Sequence, residues 1–445
     1  MKLSVIGVGY LGAVHAAAMA ELGHTVLGLD VDAKRVQQLN DGFAPFFEPG
    51  FDELLERGLA SGRLRFTTEW SDLADCEVHF LGLGTPQKPN SNAADLCALE
   101  SALDSLLGVI ADGPVPCPLI VGKSTVPVGT ARSLRDRVMA ASCADLMWNP
   151  EFLREGFAVA DTLTPDRLVY GVASASEDDP AVAILDSVYA DVISTGAPRF
   201  VYGLETSELV KVSANAFLAT KISFINAIAE VCEAAGGDVT QVAEAIGADE
   251  RIGSKFLRAG LGFGGGCLPK DIRAFMARAE ELNVGEAVGF LREVDQINTR
   301  RRARVLELAR RELGGRVSNR RITVLGATFK PDSDDTRDSP SLDVARLLHR
   351  EGAIVTVTDP QGIRNAQRRF PELTYVADMD EALIGAELVI LGTEWAQYKK
   401  LDPQITMREA ASGAAIIDAR NVLDQDEWRS SGWTIHSLGR NPVRV

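Results

Sequence analysis

The sequence predicts an α/β fold: two doubly wound domains joined by a long central helix and a helical middle domain. Three observations carry this. The N-terminal stretch KLSVIGVGYLGAVHAAAMAELGHTVLGLDVD alternates strand, glycine turn, alanine-rich helix and strand. Residues 320–360 repeat that alternation without the glycines. Between them, 204–235 runs without proline to a pair of glycines, as one continuous helix does. A chain of 445 residues exceeds one ordinary core. The divisions fall at 1–200 for a Rossmann-like domain, 201–312 for a central helical domain and 313–445 for a second Rossmann-like domain.

In the first βαβ unit, Gly7, Gly9 and Gly12 fit G-x-G-x-x-G, and Asp30 arrives 18 residues after the third glycine. The glycines allow a tight turn, a close pass to a pyrophosphate and helix-on-strand packing, and the acid meets adenosine ribose hydroxyls. This predicts a bound dinucleotide. Asp30 with no basic residue directly after it favours NAD over NADP, and Arg35 weighs against that preference. Two further strands, in CEVHFLGLGTP (76–86) and PLIVGKSTVPVGT (118–130), run into Thr/Pro/Gly loops. The carboxyl ends of such strands are where ligands sit, which makes Thr85, Ser124 and Thr125 candidates for the cofactor cleft; helix capping and turn chemistry are the other uses of these hydroxyls.

The segment WNPEFLREGFAVAD (148–161) has Glu151 and Glu155 four apart, on one face if it is helical. Such a pair serves acid/base chemistry or a solvated surface. In the long helix, Lys211, Asn215 and, less closely, Asn226 follow one stripe among apolar positions. An ammonium and an amide one turn apart hold a developing oxyanion, unless the lysine snorkels to solvent. The stretch GFGGGCLPKD (262–271) then sets Cys267 among four glycines, with Lys270 and Asp271 within a turn. An ordinary thiol is about 3% ionised at pH 7, and a one-unit fall in pKa raises that to roughly a quarter. Cys267 therefore reads as a presented nucleophile, against the ordinary fate of a cysteine as a small buried hydrophobe. Beyond it, Arg300–Arg304 reads as a solvated helix face. Lys330, Arg337 and Arg420 are the evident cations of the second Rossmann-like domain, for ligands or for surface ion pairs.

Composition sets outer bounds. A hydrophobic content of 46% and a charged content of 24% suit a globular protein, and no apolar run is expected to cross a membrane. The N-terminus lacks the apolar core of a signal peptide. The six cysteines lack metal-type spacing, so they are expected to be reduced and the chain cytoplasmic. With five histidines and no His/Cys cluster, no metal site is expected. The formal net charge of −16 speaks against nucleic acid or anionic membranes as partners.

Taken in order, IGVGYLG, LGTP, KSTVPVGT, NPEFLREG, the helix with Lys211 and Asn215, RIGSKFL, GFGGGCLPKD and FKPDSDDTRDSP span essentially the whole chain. They resemble the UDP-glucose/GDP-mannose dehydrogenase family, most closely its UDP-glucose-oxidising branch. The resemblance implies a metal-free four-electron oxidation of the sugar C6 alcohol to a carboxylate, with two NAD per sugar and Cys267 forming a thiohemiacetal and then a thioester. It implies that Lys211 and Asn215 stabilise the oxyanion, that Asp271 holds a water, that Glu151 is the hydrolytic base and that Thr125 serves catalysis. Tyr10, Leu11, Thr85, Ser124, Glu155, Lys270 and Arg337 fall to the cofactor. Phe152, Leu153, Glu155, Phe263 and Gly264 line the substrate, Lys330 and Arg420 serve its nucleotide, and Arg251 reaches a neighbouring subunit, which implies a homo-oligomer. Gly266 departs from the serine common in the family and from the histidine of relatives acting on N-acetylated sugars. GDP-mannose as substrate, a catalytically silent binding protein and a one-step hydroxyacid dehydrogenase are the competing readings.

Overall fold

The computed structural model describes residues 1–440; positions 441–445 of the expected C-terminal domain lie outside the described residues. It divides into two compact units, Met1–Ala214 with Arg273–Gly285, and Asn215–Ile272 with Glu286–Val445. The first is built on eight strands: β1 (Lys2–Ile6), β2 (Thr25–Leu29), β3 (Leu64–Thr67), β4 (Val78–Leu81), β5 (Leu119–Gly122), β6 (Asp145–Trp148), β7 (Leu168–Val172) and β8 (Arg199–Gly203). Their order is β3-β2-β1-β4-β5-β6-β7-β8. All pairings are parallel except β6 with β7. The order reverses between β1 and β4, and this opens the crevice where such sheets bind ligands.

Helix α1 (Tyr10–Glu21) explains its alanines: Ala13, Ala16, Ala17, Ala18 and Ala20 are at most 1% exposed and let the helix lie close on the sheet. Gly12 is obligatory, since a Cβ there would stand 2.0 Å from the Gly7 carbonyl oxygen. Helix α2 (Thr130–Ala141) follows the β5 loop and covers the other face with Leu99, Leu103 and Leu106 of the helix Cys97–Ile110. Helix α3 (Leu204–Ala235) has the predicted bounds, and the border between the units falls inside it.

The second unit contains most of α3, the helices α4 (Leu268–Glu281, whose second half belongs to the first unit) and α5 (Phe290–Glu312), and a six-stranded sheet. Its strands are β9 (Arg321–Leu325), β10 (Ile354–Thr358), β11 (Thr374–Tyr375), β12 (Leu388–Leu391), β13 (Ala415–Asp418) and β14 (Thr434–Ser437). The order β11-β10-β9-β12-β13-β14, parallel throughout, repeats the winding of β1–β6.

Four expectations are corrected. Arg301 of the stretch read as a solvated face is fully buried, 3.7 Å from Glu230 and Glu233. Residues 151–154 form a loop and the next helix starts at Ala158, because Pro150 and Gly156, with φ of +79°, break any earlier helix. Cys117 and Cys143 form a disulfide rather than two thiols. The sheet register aligns Leu119 with Asp145, which puts both cysteines two residues before the same rung. Finally, α3 is long and apolar enough to cross a membrane by length and composition. Yet 44% of its apolar window is buried in the fold, and the helix buries Glu208, Lys211, Asn215 and Asn226, as a core helix does.

Candidate active site

The cofactor end lies in the first unit. Gly7 takes φ of +89°, and α1 begins at Gly9 with no side-chain cap and no acid in its first turn, so its N–H groups are left for an anion. Asp30 follows directly on β2, is 7% exposed, and accepts from the Asp32 N–H at 3.0 Å and from Arg35 Nη1 at 2.9 Å. Arg35 is thus paired with the acid it was weighed against, and an added ribose phosphate would meet Asp30 and Asp32. The Thr85 hydroxyl donates to the Thr125 carbonyl at 2.7 Å and the Ser124 hydroxyl to the Leu83 carbonyl at 2.6 Å, tying the β4 and β5 loops together. Those two hydroxyls do loop work, whereas the Thr125 hydroxyl has no protein partner among the described residues. Tyr10 donates to Glu48, which also accepts the N–H groups of Gly156 at 2.6 Å and Ala158 at 2.7 Å. Glu48, missed in the sequence, anchors the NPEFLREG segment to the glycine turn; burial raises the Tyr10 hydroxyl far above its ordinary pKa.

The acid pair read as a helix face is enclosed instead. Glu151 Oε1 lies 3.5 Å from Lys211 Nζ, with side chains 10% and 6% exposed. Glu151 Oε2 accepts the Leu153 N–H at 2.7 Å, and Lys211 stands 5.4 Å over the Phe152 ring. Glu155 is also buried. Behind this loop, Asn149 accepts from Lys123 Nζ at 2.9 Å and the Tyr189 hydroxyl at 3.0 Å and donates to Val169. Desolvation pulls the Lys123 ammonium down to about 8, Glu151 opposing and Lys211 adding to it. Sequence reasoning passed over Lys123, although its place at the carboxyl end of β5 was a signal.

The thiol lies in the second unit. The first bond of α4 runs from the Asp271 N–H to the Cys267 carbonyl at 3.0 Å, so half-buried Cys267 caps the positive end of a helix. Asp271, 3% exposed, accepts from Asn215 Nδ2 at 2.6 Å and Lys270 Nζ at 2.5 Å. The predicted lysine cation is therefore shared with the neighbouring carboxylate.

The glycines before Cys267 have reasons within the protein. Gly262 takes φ of +100° against Asn298, whose amide clamps Phe263 through N–H to Oδ1 at 2.7 Å and Nδ2 to carbonyl at 2.9 Å. A Cβ on Gly264 would lie 2.2 Å from the Asp338 carbonyl oxygen, and one on Gly266 would lie 2.2 Å from Arg337 Cζ. The Arg337 guanidinium thus fills the space where a serine at 266 would begin, and it also pairs with Asp335 at 2.7 Å. Arg420 donates to the carbonyls of Gly392 at 2.7 Å, Gly262 at 3.2 Å and Phe329 at 3.3 Å. Lys330 stands 5.5 Å over the Phe329 ring. Arg251 joins neither group: its side chain is 89% exposed and pairs with Asp249 at 2.6 Å.

Comparison with known proteins covers the whole chain. Residues 1–193, 205–300 and 323–425 match, in order, the NAD binding, central and UDP binding domains of the UDP-glucose/GDP-mannose dehydrogenase family. The chain is 38% identical to the UDP-glucose 6-dehydrogenase of Rhizobium meliloti, over 99% of this chain and 100% of that one. A UDP-glucose dehydrogenase from Pyrobaculum islandicum superposes with a TM-score of 0.89 at 38% identity, covering 99% of this chain and 98% of that one. A GDP-mannose dehydrogenase from Pseudomonas aeruginosa superposes with a TM-score of 0.53 at 27% identity, covering 98% and 100%.

Proposed function

Because the chain belongs to the UDP-glucose/GDP-mannose dehydrogenase family, we propose that it oxidises the C6 alcohol of UDP-glucose to the carboxylate, through a thioester on Cys267 and with two NAD per sugar. The observation that carries the reading is Cys267 at the N-terminus of α4, with Asp271 bonded to Asn215 one helical turn away. NAD supplies a hydride acceptor at each of the two oxidations, and the uncapped start of α1 with Asp30 suits its pyrophosphate and ribose.

The first oxidation gives an aldehyde, which yields no second hydride until it becomes tetrahedral. The Cys267 thiolate adds to C6, a C–S bond forms, and the carbonyl electron pair moves to oxygen. Lys211 and Asn215 stabilise that oxyanion and the earlier alkoxide. Loss of the second hydride leaves a thioester. Water held by Asp271, with Glu151 taking its proton, attacks C6; the C–S bond breaks, and thiolate and carboxylate separate. The enclosed Glu151–Lys211 pair supports these roles, since it sets a carboxylate oxygen and an ammonium 3.5 Å apart. Thr125 serves the reacting end of the cofactor, and Glu155, Lys270 and Arg337 are assigned to the cofactor as well. Phe152, Leu153, Phe263 and Gly264 line the sugar. Lys330 and Arg420 serve the nucleotide, Arg420 with N–H groups that its three carbonyl bonds leave over.

The higher TM-score against the UDP-glucose enzyme than against the GDP-mannose enzyme, 0.89 against 0.53, supports the uridine nucleotide. A homo-oligomer belongs to the same reading: Phe217, Phe224 and Val231 are 66%, 50% and 60% exposed at seven-residue spacing on α3, a seam suited to a second copy. Exposed Arg251 is free to cross to that copy's site once it leaves Asp249.

The test is NADH formed per sugar consumed, with UDP-glucose, GDP-mannose and a UDP-N-acetylhexosamine compared. Two NADH per UDP-glucose is expected, and Cys267→Ser should bind NAD while losing complete oxidation. One NADH with released aldehyde, or a serine variant forming uronate at the parent rate, excludes the thioester route.

A further inference from the structure

The turn that follows Thr125 is held from outside by two side chains the reaction does not use. Helix α2 starts at Gly129, with φ of +95° and no cap of its own. The N–H groups of Gly129 and Ala131, orphans at a helix start, both donate to the Glu208 carboxylate at 2.7 Å, one to each oxygen. Glu208 belongs to α3 and is 2% exposed. On the other side of the same turn, Arg278 Nε of α4 donates to the Val128 carbonyl at 2.9 Å. Glu208 also stands one helical turn before Lys211, so one rigid helix carries both the reacting lysine and the anchor of the β5 loop.

We propose that Glu208 is a positioning residue: its carboxylate fixes the Gly129–Ala131 turn and with it the loop bearing Ser124 and Thr125, and the reaction runs at full rate only while that carboxylate is ionised. A carboxylate accepts both N–H bonds, whereas a carboxylic acid turns one oxygen into a donor and releases one of them. Burial pushes the Glu208 carboxyl up to about 7, the bonds from Ala131 and Gly129 opposing it, so the clasp changes state near neutrality. The charges facing it are Glu205 on its own helix, which raises it and is itself paired with Arg132 of α2, and Arg278 of α4, which lowers it and pairs with Glu281.

The sign separates this role from a structural one. An acid whose folded pKa is raised makes the folded state bind more protons between its ordinary value and about 7, so its contribution to global stability falls as pH rises through that window. The clasp does the opposite and tightens as pH rises.

The inference rests on the proposed reaction for its rate readout, but amide exchange tests the clasp alone. In the free protein, after correction for intrinsic rates, Gly129 and Ala131 should be better protected at pH 8 than at pH 6, and Glu208→Gln should abolish the difference. Protection that is flat, or that follows global stability, overturns the proposal. With UDP-glucose, the parent kcat should fall on the acid side near pH 7. Glu208→Gln should lose that limb, with kcat at pH 8 about tenfold lower for one lost charge-assisted bond and KM for the sugar unchanged. A variant with the parent rate and limb overturns it. Should Glu208→Gln fail to fold, Arg278→Met should move the limb to higher pH by removing the cation that lowers Glu208, and a limb left in place counts against the clasp. If the parent does not turn over UDP-glucose, the functional reading fails and the exchange result still decides the clasp.

Discussion

Asp30 and Asp359 stand just past corresponding strands of two sheets with the same winding, and their surroundings give them different work. Asp30 accepts from one N–H and one arginine. Asp359 is spent on its own domain: it accepts the N–H groups of Ala327, Thr328, Gln361 and Gly362, the Thr328 hydroxyl and Trp395 Nε1. Only the first has capacity for a ribose. Asp30→Ala is therefore expected to raise the NAD dissociation constant about tenfold, the worth of one charged hydrogen bond. It should also narrow the preference over NADP, because Arg35 loses its partner; titration with both cofactors checks this, and unchanged constants would move the ribose elsewhere. Asp30 was legible because its partners lie within five residues of it. The saturation of Asp359 was not, since three of its donors come from the β9 turn and Trp395 comes from beyond β12. Lys123 and Glu208 were hidden for the same reason: their importance lies in partners far along the chain.

Among the elements, α3 was the most legible and the NPEFLREG loop the least. A proline-free, strongly apolar run ending in Gly236–Gly237 specifies a long helix with little help from the rest of the fold. Four-residue spacing in NPEFLREG suggested a helix face, but a glycine at positive φ decided the backbone and set Glu151 against Lys211. The stripe of Lys211, Asn215 and Asn226 on α3 is buried throughout, and Asn226 accepts the Gly260 N–H at 2.8 Å, while Phe217 of the same helix is exposed. Which side of the helix met solvent depended on where other segments packed, which periodicity does not encode. Phe217→Glu combined with Phe224→Glu should therefore shift the molecular mass in light scattering toward the single chain without loss of helix content. An unchanged mass would remove α3 from the interface.

At the scale of the molecule, the repeated strand order was visible as two strand–helix–strand alternations, but the pairing of Cys117 with Cys143 was not, because it follows from β5 and β6 being neighbours in register. The bond closes a 26-residue separation within the first unit, worth about 3 kcal/mol by chain entropy. Reduction should then lower the thermal midpoint of that unit by up to about 10 °C, with Cys117→Ser matching the reduced protein. Equal midpoints with and without reductant would leave the bond no stabilising role.

The first unit also has a history written into its chain order. Its sheet ends at Gly203, but the segment Arg273–Gly285 that completes it follows the whole of 215–272. At ordinary rates of synthesis the ribosome needs on the order of several seconds to cross that interval. Until it is crossed, the nascent domain lacks Arg278 on the Val128 carbonyl. The newborn protein therefore passes through a state in which the β5 loop can be held by Glu208 alone.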